Sequence, residues 1–373
     1  MPRFDRYLLG QMMVLFGFFS LILVAIYWVN RAVALFDQLI SDGQSAMVFV
    51  ELTALSLPNV IRLVLPMGAF AATVYVGNRL ASDSELVVMQ ATGYSPWRLA
   101  RPVLVFGLIV AALVSVLTHV LVPASLRTFN ARQAEIAENI TARFLVEGQF
   151  LHPAKGITFY IREISPAGEL LDVFMSDATD PSQRTSYTAK QALLVRADTG
   201  PKLVMFEGIA QTLVLESQRL SVTRFVDFSY DIGALITPSG GGRRAAREMN
   251  TSELLFPSEA VLAETGASKG QLMYEGHGRI NQALLAVVAA LTGFAALLVG
   301  GFSRFGLWRQ IAGGVLALIL LKSLDNAMAG AVRRDAALWP LAYGSTLAGI
   351  FLTMALLWIA ERPALFTRRS AAK

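Results

Sequence analysis

Cysteine is absent from the 373 residues, so neither disulfides nor thiolate metal sites are available to this chain. Histidine is scarce: His119, His152 and His277 lie far apart and fall into no metal-ligand spacing. Charged residues make up 16% of the chain, against about 25% in ordinary soluble domains. Motifs that carry chemistry are missing as well. Nothing matches the phosphate loop G-x-x-x-x-G-K-S/T, and Gly266 to Gly270 approaches it only with the wrong spacing. There is no G-x-S-x-G nucleophile elbow and no pair of carboxylates within an apolar run. These gaps point to no cofactor and no ATPase site of the chain's own. Active transport by such a chain must be driven by a partner.

What is abundant is apolar sequence. Hydrophobic residues make up 54% of the chain, and the mean hydropathy is +0.52. The apolar residues gather into runs of about 20, the length that spans a hydrocarbon core about 30 Å thick as a helix. Six spans are expected, near residues 11–36, 53–77, 102–122, 281–302, 308–331 and 338–360. The first follows Arg3 and Arg6 as a signal peptide would, but its run is too long for an h-region and no small-x-small cleavage site follows. It is expected as an uncleaved helix. Tyr27, Trp28, Trp97, Trp308, Trp339 and Tyr343 fall where interfacial aromatic residues belong. Pro58, Pro66 and Pro102 lie in or at the ends of spans, where neighbouring helices re-satisfy freed backbone groups.

Loop charges set the orientation. With a cytoplasmic N-terminus, that side carries Arg3, Arg6, Arg79, Arg98, Arg101, Arg304, Arg309, Arg362, Arg368, Arg369 and Lys373. The opposite short loops carry Arg333 and Arg334 alone, and the first of them holds Asp37, Asp42 and Glu51. The positive-inside rule then puts both termini in the cytoplasm. The insertion between spans three and four lies outside it, which for a bacterial inner-membrane protein means the periplasm. The chain divides into 1–122, with three spans and a cytoplasmic helix at 82–93, the insertion 123–278, and 279–373 with the last three spans.

The insertion has a different texture. Short runs rich in β-branched and aromatic residues recur about every ten positions, at 143–150, 156–163, 170–176, 192–197, 202–206, 211–216 and 220–230. Turn clusters separate them, such as Ser165-Pro166-Ala167-Gly168, Asp180-Pro181-Ser182 and Asp198-Thr199-Gly200-Pro201. Ile157, Phe159 and Ile161 alternate with Thr158, Tyr160 and Arg162. Seven or eight antiparallel strands in a sandwich or jelly roll are expected. A charged helix at 123–141 precedes them. A solvated loop through Gly240-Gly241-Gly242-Arg243-Arg244 follows, and Asn250 with Glu253 starts a helix back to the membrane. The fold class is therefore an α-helical polytopic membrane protein with six transmembrane helices and an inserted all-β domain, a sandwich or a jelly roll.

The loop between spans two and three encodes a short helix with stops. Ser82 and Glu85 have capping-box spacing, Leu86 to Met89 supply an apolar side, and Gly93 suits the C-terminal cap. Ser95-Pro96 opens the next helix with proline at its first position. Such a helix fits the groove of an ATPase. It equally fits a plain interfacial helix whose Glu85 caps its own N-terminus.

At this point the chain resembles the LptF/LptG (YjgP/YjgQ) permeases, which extract lipopolysaccharide from the bacterial inner membrane. The resemblance runs through the double-proline span Leu57-Pro58 to Leu65-Pro66, Ser84-Glu85-Leu86, Val88-Met89 and Ala91-Thr92-Gly93. It continues through Glu147-Gly148-Gln149-Phe150, Asp172-Val173-Phe174 and Arg224-Phe225-Val226-Asp227-Phe228, and these fragments favour the LptF member. It implies six helices with a periplasmic β-jellyroll, working as an LptF–LptG heterodimer on two LptB ATPases. LptC joins the complex and the LptA bridge receives the lipid. It also implies that Glu85, Leu86 and Met89 belong to a coupling helix that meets LptB. Finally, it implies that basic residues matching Arg31 and Lys322 face the phosphates or inner sugars of lipid A.

Arg31 ends the first span and Lys322 lies well inside the fifth. Ionised groups at such depth cost roughly 2.5–3.5 kcal/mol at a helix centre, so they face a cavity or a partner. Arg62, in the outer half of span two, is a third candidate for lipopolysaccharide. Plainer readings stand beside these: Lys322 paired with Asp325 at i,i+3, and Arg31 reaching to the interface. Likewise Ile157, Phe159 and Ile161 offer an apolar face to acyl chains, or are simply sandwich core. Two other classes fit less of the chain. A lipoprotein-extracting permease would have four spans. A non-transporting membrane scaffold would need no coupling helix.

Overall fold

The computed structural model describes residues 3–41, 46–143, 147–154, 156–166, 168–197, 200–231, 244–299 and 307–362. Asp42, Ala167, Asp198, Thr199, the Gly240–Arg243 loop, Arg304, Arg368, Arg369, Lys373 and the expected end of span four at 302 lie outside them. The chain forms two units, Met1–Phe129 with Arg243–Lys373, and Asn130–Gly242.

In the first unit, α1 (Arg3–Ser41) and α2 (Ala46–Ser82) lead to a short α3 (Glu85–Ala91) and to α4 (Pro96–Val116). A π-helical turn, Leu117–Leu121, joins α4 to α5 (Val122–Arg143). The wide turn comes where Pro123 lacks an N–H and its ring would press on the carbonyl of His119, so the helix continues instead of breaking. After the insertion come a 3₁₀ turn (Ala246–Glu248), α6 (Thr251–Leu255), α7 (Glu259–Thr265), α8 (Lys269–Leu298) and α9 (Trp308–Arg334). A 3₁₀ stretch, Ala336–Tyr343, then opens α10 (Gly344–Ala360). Among the described residues six helical stretches are long and apolar enough to cross a membrane: Arg3–Phe36, Ala46–Ser82, Pro96–Glu135, Lys269–Leu298, Trp308–Arg334 and Ala336–Ala360.

α8 is the axis of this unit and packs on α2, α4, α9 and α10. Its buried face is built from small residues, including Ala286, Ala290 and Gly293, which lets helices approach closely where no aqueous hydrophobic effect drives them together. A Cβ on Gly349 of α10 would collide with Val288. Around that axis Leu8, Met12, Val103, Phe106 and Phe294 form one buried cluster. By contrast, Val14, Phe18 and Leu21 of α1 and Leu316, Ile319 and Leu320 of α9 are exposed. In water such faces would be a liability; in a bilayer they are the solvated surface.

The second unit holds one six-stranded antiparallel sheet in sequential order: β1 (Phe150–Ala154), β2 (Ile157–Ile164), β3 (Leu170–Asp177), β4 (Gln183–Ala197), β5 (Gly200–Val214) and β6 (Arg219–Asp231). Among the described residues six strands stand where the spacing suggests seven or eight. The runs 202–206 and 211–216 are two halves of β5: Glu207, at φ 50°, interrupts the ladder without ending the strand. The ladder resumes with Ala189 opposite Gly208, and Lys190 pairs with Glu207 at 2.6 Å over the irregularity. One face gathers Ile157, Ile161, Leu170, Val173, Met175, Leu203 and Met205 into a core.

Candidate functional site

Three places carry the side chains that sequence singles out. The first is the α3 loop. Leu86 is buried in the same cluster as Leu8, Leu80 and Leu99, and Met89 and Tyr94 pack against that cluster. The first turn of α1 holds the loop from below, with Phe4 edge-on to Tyr94 at 6.2 Å and buried Asp5 3.6 Å from Arg98. The expected capping box does not form. Ser84 takes a left-handed φ of 61° at the N-cap, and the Ser82 hydroxyl donates to the Asn78 carbonyl at 3.0 Å, as part of α2. The sharp turn at Ser84 separates Ser82 from Glu85, which is why the spacing misleads. The other end follows the expected chemistry: Gly93 has φ 91°, and Ser95 Oγ accepts from the Arg98 N–H at 3.2 Å ahead of Pro96. Of the apolar side, then, Leu86 and Met89 face the bundle. Val87 and Val88 are exposed, with Glu85 half-buried beside them. Sequence alone does not distinguish these two pairs, because the helix phase depends on that turn.

The second place is a polar interior between α8, α9 and α10. The buried Asp325 carboxylate accepts from Asn281 Nδ2 at 3.0 Å, Ser345 Oγ at 3.1 Å and Lys322 Nζ at 2.7 Å. Thr346 Oγ1 donates to Asn281 Oδ1 at 2.7 Å and completes the network. Lys322 thus has the i,i+3 partner that its spacing offers, while its own side chain is 66% exposed. Hydrogen-bonded polar groups of this kind fix helices to one another in an apolar medium.

Nearby in the first unit, two arginines are buried. Arg62 donates to Asn59 Oδ1 at 2.9 Å and to Gln282 Oε1 at 3.5 Å, and the Gln282 amide donates back to the Arg62 carbonyl. Arg279 donates to Thr251 Oγ1 at 3.0 Å and to the Arg247 carbonyl at 3.1 Å. Arg127 donates to the Glu248 carbonyl at 2.9 Å, and His119 Nδ1 lies 2.8 Å from Thr251 Oγ1. Arg247 pairs with Glu275 at 3.7 Å. Together these bonds clamp the returning segment 246–255 onto the π-helical turn, α5 and α8, over buried Met249, Leu254 and Leu272. Arg279 escapes the sequence reading because α8 begins at Lys269, twelve residues before the expected span; the Ser268 cap, whose hydroxyl accepts from Gln271, is the signal that would have found it. Arg31 is exposed on α1. Among the described residues no hydrogen bond or ion pair joins any two of Arg31, Arg62 and Lys322.

The third place is the core face of the sheet. Ile157 and Ile161 are fully buried and Phe159 is partly buried against the same cluster. Tyr160 projects to the other face, where it packs on Phe150 at 4.8 Å. At one end of this core Tyr230 donates to Asp177 at 2.8 Å. Burial pushes the Asp177 carboxyl up, but hydrogen bonds from Thr179 and Tyr230 outweigh it and leave the group below its usual range. Burial, followed by the bond to Asp177, pushes the Tyr230 phenol up. Among the described residues no group of three or more His, Asp or Glu is placed to hold a metal ion.

A family model described as "Lipopolysaccharide export system permease LptF/LptG" matches residues 6–361. An uncharacterized protein of Rickettsia prowazekii (strain Madrid E) is 21% identical over 326 residues, 87% of this chain and 89% of that protein. The lipopolysaccharide export system permease protein LptF of Escherichia coli K12 is 23% identical over 233 residues, 60% of this chain and 61% of that one. The LptF of Shigella flexneri matches to the same extent.

Proposed function

Because the chain belongs to the LptF/LptG family of lipopolysaccharide export permeases, we propose that it is the LptF-like permease subunit of an ATP-driven exporter. In this reading it draws lipopolysaccharide out of the inner membrane and passes it through its periplasmic β domain toward the outer membrane. The observation that carries the ATP-driven part is the α3 loop. A seven-residue helix is rigidly seated by Leu86, Tyr94 and the Asp5–Arg98 pair, and it leaves Val87 and Val88 uncovered.

The chemistry of the substrate explains why such a part is needed. Each methylene moved from bilayer to water costs about 0.8 kcal/mol, so several acyl chains together cost on the order of tens of kcal/mol. An external energy source and an apolar receiver are both required. An LptB-like ATPase dimer docking on α3 supplies the first, and an LptG-like second permease closes the cavity. The apolar sheet face, with Phe159 its partly accessible member, supplies the second, with LptC and the LptA bridge beyond it. Glu85 offers a carboxylate to a basic partner; Leu86 and Met89 act by holding the helix in place. Arg31, Arg62 and Lys322 attract the phosphates of the lipid in the outer half of the bundle. Lys322 does so from its pair with Asp325, which an incoming phosphate would share or displace.

Co-purification tests this. Val88→Asp or Glu85→Ala is expected to reduce recovery of the ATPase with an intact permease, and Val222→Lys, at an exposed position of the sheet unit, is not. In the assembled complex, Arg31→Ala with Lys322→Ala should lower lipopolysaccharide-stimulated ATP hydrolysis while leaving the basal rate. Unchanged stimulation and export in that double variant would remove the anion-binding roles.

A further inference from the structure

At the end of the bundle that holds α3, a cavity of about 380 Å³ opens between α8, α9 and α10. Val299 of α8, Gly313 and Ala317 of α9 and Leu356 of α10 contribute apolar walls, and Arg309 and Gln310 are its only polar lining residues among those described. That volume lies within the roughly 300–1,000 Å³ range of pockets for small ligands. The apolar walls of such a cavity offer ordered water few partners. In a bilayer the available filler is hydrocarbon. Gly313 adds a second feature, since a Cβ built on it meets nothing within 4 Å among the described residues: none of their side chains fills the space.

The charge beside the cavity is of one sign. Arg309 is exposed in the first turn of α9 and has no carboxylate within ion-pair distance among the described residues. Its guanidinium stands 5.6 Å from the Trp308 ring centroid, and Arg362, at the end of α10, stands 4.3 Å from that of Trp358. Two tryptophan–arginine pairs at one end of adjacent helices mark the level of the lipid headgroups. A hydrocarbon slot ending in an unpaired cation at that level has the chemistry of a lipid with an anionic head.

We propose that this cavity binds one acyl chain of an anionic phospholipid, with the lipid's phosphate-bearing head on Arg309. The site is separate from Arg31, Arg62 and Lys322, and on the orientation proposed above it belongs to the cytoplasmic leaflet, opposite the side where lipopolysaccharide leaves. Bound there, the lipid wedges α9 against α8 and α10 close to the α3 end, where a docked ATPase would exert force.

The test uses the full-length protein with its partner subunits in nanodiscs of phosphatidylethanolamine and phosphatidylglycerol, followed by native mass spectrometry of the released complex. Wild type is expected to retain phosphatidylglycerol over phosphatidylethanolamine by about fivefold, the preference one interfacial arginine confers. Arg309→Gln should abolish the preference while a lipid is still retained, and Gly313→Phe should lose the lipid. Arg309 is exposed, so its arm stands even where Gly313→Phe disturbs assembly. Equal retention of the two lipids by wild type overturns the proposal. So does unchanged retention in a folded Gly313→Phe variant, or a photoprobe at Ala317 that crosslinks to a protein chain instead of lipid. Gln90→Cys, in a chain otherwise free of cysteine, labelled with an impermeant maleimide from one side only, reports the orientation independently. A wrong leaflet and an absent site therefore give different results.

Discussion

The two units of this chain solve the burial problem in opposite ways. In the helical unit the outside is apolar, with Leu21 70% exposed, and the inside is built from alanine, glycine and a hydrogen-bonded set around Asp325. In the sheet unit the order is that of a protein in water: Ile157, Ile161 and Met205 are inside, and charged pairs such as Lys190–Glu207 and Arg162–Asp172 lie outside. One chain is thus folded for two solvents. The difference teaches that exposure means different things in the two units. A bare leucine on α1 is satisfied by lipid, whereas bare Val222 or Val226 on β6 is a surface that water tolerates poorly.

Substitutions can break or sharpen that contrast. The largest effect is expected from Ile161→Ala, which removes a fully buried side chain from the sheet core and should cost about 3–4 kcal/mol. Hydrogen exchange should place the loss in β1–β6 and leave α8 protected; a loss spread over both units would show that they do not fold independently. Next comes the same change made in both solvents. Leu21→Lys should cost about 3 kcal/mol if α1 faces hydrocarbon. Val222→Lys, also exposed, should stay within about 0.5 kcal/mol. Thermal unfolding in lipid nanodiscs reads both, and equal costs would contradict the two-solvent account. Third, Asp325→Ala should destabilise the helical unit by about 2–3 kcal/mol by stranding Asn281 and Ser345, with Asp325→Asn recovering part of the loss.

The smallest effect concerns pH and belongs to the sheet unit. Asp177 is held below its ordinary pKa of 3.8, so its contribution is present above that value and lost as pH falls through the lowered one. Tyr230 is held above its ordinary 10.0, so its contribution is present below that value and lost as pH rises through the raised one. Tyr230→Phe should therefore weaken the sheet unit by less than about 1 kcal/mol across the range between those two limits. The difference from wild type should fade in acid once Asp177 is protonated. Urea titrations of wild type and variant at several pH values would measure it.

Much of the architecture is legible in the sequence because hydropathy sees a bilayer directly. The fifth span is expected from Trp308 and the helix begins there. The sixth is expected at 338, within the 3₁₀ stretch that Pro340 and the Asp335 cap impose before α10. Hydropathy fails where a helix runs on into polar surroundings: α8 starts at Lys269, well before its apolar part. The strands merge because a positive φ at Glu207 mimics a turn without making one. Of the candidate site, the Lys322–Asp325 pair is readable from local spacing. Asn281, Ser345 and Thr346 reach the same carboxylate network from other helices, and no local pattern joins residues so far apart. The direction of Leu86 and Met89 is decided by the left-handed turn at Ser84, a backbone state that Ser-Glu does not announce.

The central claim is that lipopolysaccharide travels along the core face of the sheet. Photoreactive residues at Phe159 and, on the opposite face, at Tyr160 test it in the assembled exporter with and without ATP. The account predicts a lipopolysaccharide adduct at position 159 that requires ATP, and none at 160. No adduct at either position in a complex that hydrolyses ATP, or equal adducts at both, would contradict it.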